Sequence, residues 1–317
     1  MEFRVHAAGL QFPEGPVAMA DGSVVLVEIQ RQTLTRIRPD GRQEVIAHLG
    51  GGPNGAAIGP DGGCYVCNNG GFKWATRADG SLMTAGTPDD YRTGSIQRVD
   101  LRTGRFQTLY EQCDGSPLRG PNDLVFDRDG GFWFSDLGKT DDQGRDHGAV
   151  YYARADGSGI VRARDRMTMP NGVGLSPDGC RLYVAETLTG RLRDYEVLGP
   201  GRLRVPEGLV PGRVVTTLPD YQMFDSLALQ ADGRVCVATI VSGRICVVDP
   251  LRGTVEYVDV PHDCHVTNIC FGGADMRDAW ITCSGRGLLL HARWPVPGLR
   301  LMPWCQICGA ILPPAAM

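Results

Sequence analysis

The sequence of 317 residues predicts an all-β fold, a single six-bladed β-propeller over residues 1–298, and three observations carry that prediction. Forty-three glycines and 21 prolines punctuate the chain, and almost no segment shows the 3.6-residue periodicity of a helix. Six short runs rich in branched and aromatic residues each follow a turn that carries Asp. The intervals between those Asp residues are 40, 68, 49, 54 and 43, the spacing of one four-stranded blade after another with loops of varying length.

In chain order the runs are "SVVLVEI" after Asp21, "GCYVCNN" after Asp61, "GFWFSD" after Asp129, "RLYVAET" after Asp178, "RVCVATI" after Asp232 and "AWITCS" after Asp275. In the first five the Asp is followed by Gly. That pair suits a tight hairpin, because Gly accepts positive φ and Asp bonds its own backbone.

Seven residues before each Asp stand Glu14, Asn54, Asn122, Asn171, Asp225 and Asn268, all able to offer an oxygen. The innermost strand of each propeller blade lines the central channel, so equivalent positions form a ring. Two carboxylates and several amide oxygens in one ring suit a hard divalent cation. Ca²⁺ is the first candidate, since it takes six to eight oxygen ligands; Mn²⁺, Fe²⁺ and Zn²⁺ stay open as alternatives, although no His or Cys holds a ring position. A lone "PNG" reads as a turn, but Glu14 in "FPEGP" occupies the same offset and Glu is a poor turn former.

Composition narrows the partners. The chain is 42% hydrophobic and 21% charged with a formal net charge of −4, which provides no basic surface for nucleic acid. No apolar run reaches membrane-spanning length, and "MEFRVHAAGLQF" lacks the basic and apolar regions of a signal peptide, so a cytoplasmic protein is expected. A monomer or weak homo-oligomer is expected too. The eleven cysteines are odd in number, and several fall in strand-like runs, where they read as buried thiols and not as a disulfide framework. Cys305 and Cys308 have the spacing of half a zinc site but belong to a tail, 299–317, without a second pair.

Four stretches, "FPEGPVA", "GPNDLVFDRDGGFWFSD", "PNGVGLSPDGCRLYVAET" and "DSLALQADGRVCVA", resemble the gluconolactonase/regucalcin (senescence marker protein) family of six-bladed propellers, which includes the diisopropylfluorophosphatases. The resemblance implies metal ligation by Glu14, Asn171 and Asp225, with Asp225 as the catalytic base as well. It implies for Asn122 a place as ligand or substrate contact, and for Asn54 a place beside the metal or facing substrate. His265 is similar to a channel histidine of the phosphatase branch. Sugar-lactonase relatives carry an arginine two residues before the "ND" asparagine; here Gly120 fills that position and Arg119 is the nearest candidate for a sugar hydroxyl. The tail departs from the family's pattern.

The activity so implied is hydrolysis of a small sugar or hydroxy-acid lactone, the metal polarising the carbonyl and activating water, with Asp225 as base or as orienting ligand. An ester or organophosphate hydrolase on the same ion, and a calcium-binding propeller that turns nothing over, are the competing readings. Substrate contacts are expected from long loops after two inner strands, 68–86 and 136–152, where Trp74, Lys73 and His147 stand.

Overall fold

The computed structural model describes residues 1–141, 144–204, 212–219 and 222–301. Six antiparallel sheets of four or five strands follow one another along the chain, and no helix occurs among the described residues. Their inner strands are Pro13–Ala18, Pro53–Ile58, Pro121–Phe126, Pro170–Leu175, Met223–Leu229 and Val266–Gly272, which we number as blades 1 to 6. The chain start closes the circle: Phe3–Ala7 pairs with Leu288–Arg293, so blade 6 takes its outermost strand from the N-terminus. The predicted propeller is therefore observed.

The core lies between blades. Tyr65 of blade 2 packs edge-on against Phe126 of blade 3 with ring centroids 5.0 Å apart, and within blade 3 Phe134 stacks on its cross-strand neighbour Tyr151 at the same distance. Buried thiols fill small gaps in these layers, Cys64 and Cys67 in blade 2 and Cys236 and Cys246 in blade 5. At the base, Leu299 donates its N–H to the Leu229 carbonyl, tying the first tail residue to blade 5; residues 302–317, with Cys305 and Cys308, lie outside the described residues.

Five of the six hairpin turns after the inner strands use the Asp that the sequence suggests. Asp21, Asp61, Asp178, Asp232 and Asp275 each accept the backbone N–H two residues on. In blade 3 the acceptor is Asp127, which bonds the N–H groups of Asp129 and Gly131. The sixth turn lacks glycine, and Met276 adopts φ +57° in its place.

The inner strands approach each other most closely near their starts. A Cβ on Gly15 would stand 2.6 Å from the Ala56 nitrogen, and one on Gly55 would stand 2.3 Å from the Asn122 carbonyl oxygen. Asn54 and Asn171 therefore precede glycine inside strands and not in turns: the glycine lets the neighbouring blade's backbone come near.

Two alanine substitutions separate turn geometry from packing. Gly62→Ala meets no neighbouring atom but keeps φ +76°, so it costs about 1 kcal/mol and lowers Tm by about 2 °C. Gly15→Ala collides with backbone and costs at least about 3 kcal/mol. Thermal denaturation of both variants checks the order; equal losses would contradict it.

Candidate active site

Every inner strand carries a register irregularity where its ring residue stands: between Glu14 and Val17, Pro53 and Gly55, Pro121 and Leu124, Pro170 and Val173, Phe224 and Leu227, and Val266 and Asn268. Such bulges re-aim side chains. All six sequence-predicted ring residues are thereby set at the same level of their blades, and Glu14, Asn54, Asn122, Asn171 and Asn268 are buried, while Asp225 stays partly open.

A second set of polar side chains steadies the segments that lead into the ring. Glu28 accepts the Gln11 N–H at 2.7 Å, Asn68 accepts that of Gly52 at 2.8 Å, and Asp136 accepts those of Arg119 and Gly120 at 2.8 and 2.7 Å. Each sits opposite the proline that precedes a ring residue, Pro13, Pro53 and Pro121. Glu186 holds the matching position opposite Pro170 and pairs with buried Arg193 at 2.9 Å.

Within the ring, Glu14 Oε2 accepts from Asn268 Nδ2 at 2.8 Å and from the Gly15 N–H at 2.6 Å. Asn268 Oδ1 is taken by the Ile269 N–H, so this amide offers the ring an N–H. Asn171 donates to Thr187 at 3.2 Å and accepts from Ser226 at 3.4 Å. Asn122 Oδ1 is buried with no hydrogen-bond partner. A buried, unpartnered carbonyl oxygen beside carboxylates is an arrangement a cation would complete.

One acidic residue of this cluster was missed by the sequence reading. Strict alternation would turn Asp123 away from the side that Asn122 faces, but both stand in the bulge between Pro121 and Leu124. Asp123 is buried, accepts the Leu124 N–H at 2.9 Å, and feels the charge of Glu14. Adjacent polar residues at a bulged position were its one sequence signal.

Three carboxylates are thus crowded together, Glu14 and Asp123 buried and Asp225 partly open. Burial pushes Glu14 up to about 7, against hydrogen bonds from Asn268 and Gly15. Burial first, and Glu14 second, push Asp123 up to about 8. Asp225 rises well above the usual carboxylate range from burial, then from Glu14, with a hydrogen bond to Asn171 opposing.

Above the ring, part of the rim is apolar. Phe12 and Met169, each two residues before a ring residue, take φ +56° and +55°, a left-handed conformation costly for side chains of this size. Trp74 lies on a hairpin, Trp74–Thr76 paired with Leu82–Thr84, and its ring packs 5.0 Å from Phe12. The hairpin leaves blade 2 and reaches blade 6, where the Leu82 N–H bonds the Gly285 carbonyl.

The other loop candidates stand differently. Arg119 is committed to Asp146 at 2.8 Å and lies 5.4 Å over the Tyr91 ring; Lys73 pairs with Asp89 at 2.6 Å; His147 is exposed. Buried Lys139, which sequence did not single out, joins the two loops: its Nζ donates to the Gly71 carbonyl at 2.7 Å and lies 4.6 and 4.8 Å from the Phe72 and Tyr91 rings. Burial brings its pKa down to about 7. His265, held below its ordinary pKa by burial and then by Arg77, lies at the rim with its ring 6.5 Å from Phe12.

Known proteins share this architecture. The chain is 26% identical over 205 residues to a gluconolactonase from Zymomonas mobilis, covering 58% of this chain and 51% of the relative, and 29% identical over 169 residues to a lactonase drp35 from Staphylococcus haemolyticus, covering 52% and 49%. It thus spans about half the length of these curated relatives. A solved gluconolactonase from Xanthomonas campestris superposes with a TM-score of 0.71 at 23% identity over 93% of this chain and 89% of that one. A calcium-binding protein, regucalcin, from Agrobacterium tumefaciens gives 0.71 at 19% over 95% and 98%. At these identities the structural likeness speaks for the fold. The profile of the SMP-30/Gluconolactonase/LRE-like region matches residues 12–285, from the rim residue before Pro13 to the last inner hairpin, and the chain belongs to that family.

Proposed function

We propose that the protein is a divalent-metal-dependent hydrolase of small lactones, and the observation that carries this reading is the buried, unpartnered Asn122 Oδ1 at the same bulged inner-strand position as Glu14, Asn171 and Asp225. Those four residues would hold the ion, and their hard oxygen donors favour calcium among the candidates. When bound, the ion supplies Lewis acidity that polarises the lactone carbonyl. The gluconolactonase and lactonase names of its relatives support the substrate class.

The chain's own residues provide the rest. Asp225, partly open at the mouth, receives the proton of the attacking water as its oxygen bonds to the carbonyl carbon. As the ring C–O bond breaks, the same carboxyl returns the proton to the leaving alkoxide, and a hydroxy acid is released. Asn171, held by Thr187 and Ser226, stands beside Asp225 and steadies its carboxyl. Phe12, Met169 and Trp74 limit water at the rim.

A pH-stat assay with several lactones, before and after EDTA and with each ion restored, tests the activity. EDTA abolishes turnover and calcium restores it; Asp225→Asn lowers kcat by about 10²-fold or more. Equal inactivity of metal-loaded and metal-free protein on every lactone and phosphoester would instead leave a binding protein.

Removing the ion also changes the pH dependence of stability. Glu14 and Asp123 keep protons in the folded state up to about 7 and about 8, where the unfolded chain has released them, so metal-free stability falls as pH rises from about 4 to about 8. A bound cation compensates the ionised carboxylates. The Tm difference between calcium-loaded and EDTA-treated protein therefore widens by at least about 3 °C from pH 5 to pH 8; a gap that narrows over that range would contradict the charge cluster.

A further inference from the structure

The hairpin that crosses from blade 2 to blade 6 places Arg77 at the channel rim, directly after strand Trp74–Thr76. Arg77 Nη1 lies 2.6 Å from His265 Nδ1, Nη2 lies 3.0 Å from His265 Nε2, and Nη1 lies 3.3 Å from Cys264 Sγ. A neutral imidazole has one N–H and one acceptor nitrogen. Only one of the two ring contacts is therefore a hydrogen bond, and the other sets two N–H groups against each other.

Nearby carboxylates do not relieve this. Asp79 is held by Arg286 at 2.9 Å and by Ser81, while Asp263 accepts the N–H groups of His265 and Arg286. Among the described residues Arg77 forms no ion pair. A guanidinium has five donors in a planar fork suited to a carboxylate, and this one rests on a buried histidine that cannot satisfy it. The support beneath is fixed: Arg286 clamps the hairpin tip, and Phe12, between Trp74 and His265, connects the place to Glu14 two residues on.

We infer that Arg77 is an anion-recognition residue of the mouth and that the preferred substrates are lactones bearing a carboxylate next to the ring. The choice of substrate rests on the lactonase reading; the anion site does not. A single guanidinium matches a monoanion. With a divalent cation offsetting two of the three carboxylates Glu14, Asp123 and Asp225, the substrate carboxylate approaches a ring of reduced negative charge.

The test uses the calcium-loaded full chain and two matched probes: γ-butyrolactone with a γ-carboxylate, and γ-valerolactone, in which a methyl takes the carboxylate's place. The wild type prefers the carboxylate in kcat/KM by about tenfold or more; Arg77→Gln lowers that ratio by about 10- to 100-fold, chiefly through KM, and Arg77→Lys keeps part of it. A ratio in Arg77→Gln within about twofold of the wild type overturns the inference. If neither lactone is turned over, the lactonase reading fails and the site is tested by binding. Tetrahydrofuroate, which has the carboxylate but no lactone carbonyl, then slows iodoacetamide alkylation of exposed Cys264 by about threefold or more in the wild type and not in Arg77→Gln. Absence of that protection in the wild type overturns the anion site as well.

Discussion

Six inner strands converge on one axis, and their convergence brings buried Glu14 and Asp123 together with partly open Asp225. Each carboxylate alone at a surface would ionise readily. Placed side by side and largely out of water, they resist ionisation, and a divalent cation becomes the natural way to neutralise them. Glycine after Glu14 and Asn54 is part of the same constraint, because a Cβ there would hold the neighbouring blade away.

Holding such a cluster requires support from outside it. The polar residues opposite the prolines, Glu28, Asn68 and Asp136, use their oxygens on backbone N–H groups that precede the ring. They resemble ligands in residue type and burial, yet their acceptor capacity is spent on positioning the chain. The strained backbone of Phe12 and Met169 is borne at the same level, where it presents large apolar side chains at the mouth. Strain and buried charge are thus concentrated at one end of the channel, while the between-blade cores stay apolar and closely packed.

The mouth is not symmetric, although the fold repeats. One hairpin from blade 2 spans to blade 6 and brings Trp74 and Arg77 to the rim, whereas the loop within blade 3, between Gly131–Asp136 and Gly148–Arg154, carries the ion pair of Asp146 with Arg119 and Lys139, which binds loop to loop. Trp74 and Arg77 stand at opposite ends of one short strand and differ in chemistry, so the same element offers an apolar wall and a cation. Selectivity over a repeated scaffold comes from such unequal loops.

The blades and ring positions were legible in the sequence because their signals are local. An Asp-containing turn repeats at blade spacing, and a polar residue stands at a constant seven-residue offset, from Glu14 before Asp21 to Asn268 before Asp275. Tertiary structure alone decided which polar residues join the cluster and how they are used. A bulge, whose form depends on the neighbouring strand, turned Asp123 inward; Asn268 spends its oxygen on its own strand and its N–H on Glu14; and Arg119, two residues from Pro121, is taken by Asp146. Arg77 meets His265 across 188 positions, a contact no local pattern encodes, because only ring closure and the span of one hairpin bring those two side chains together.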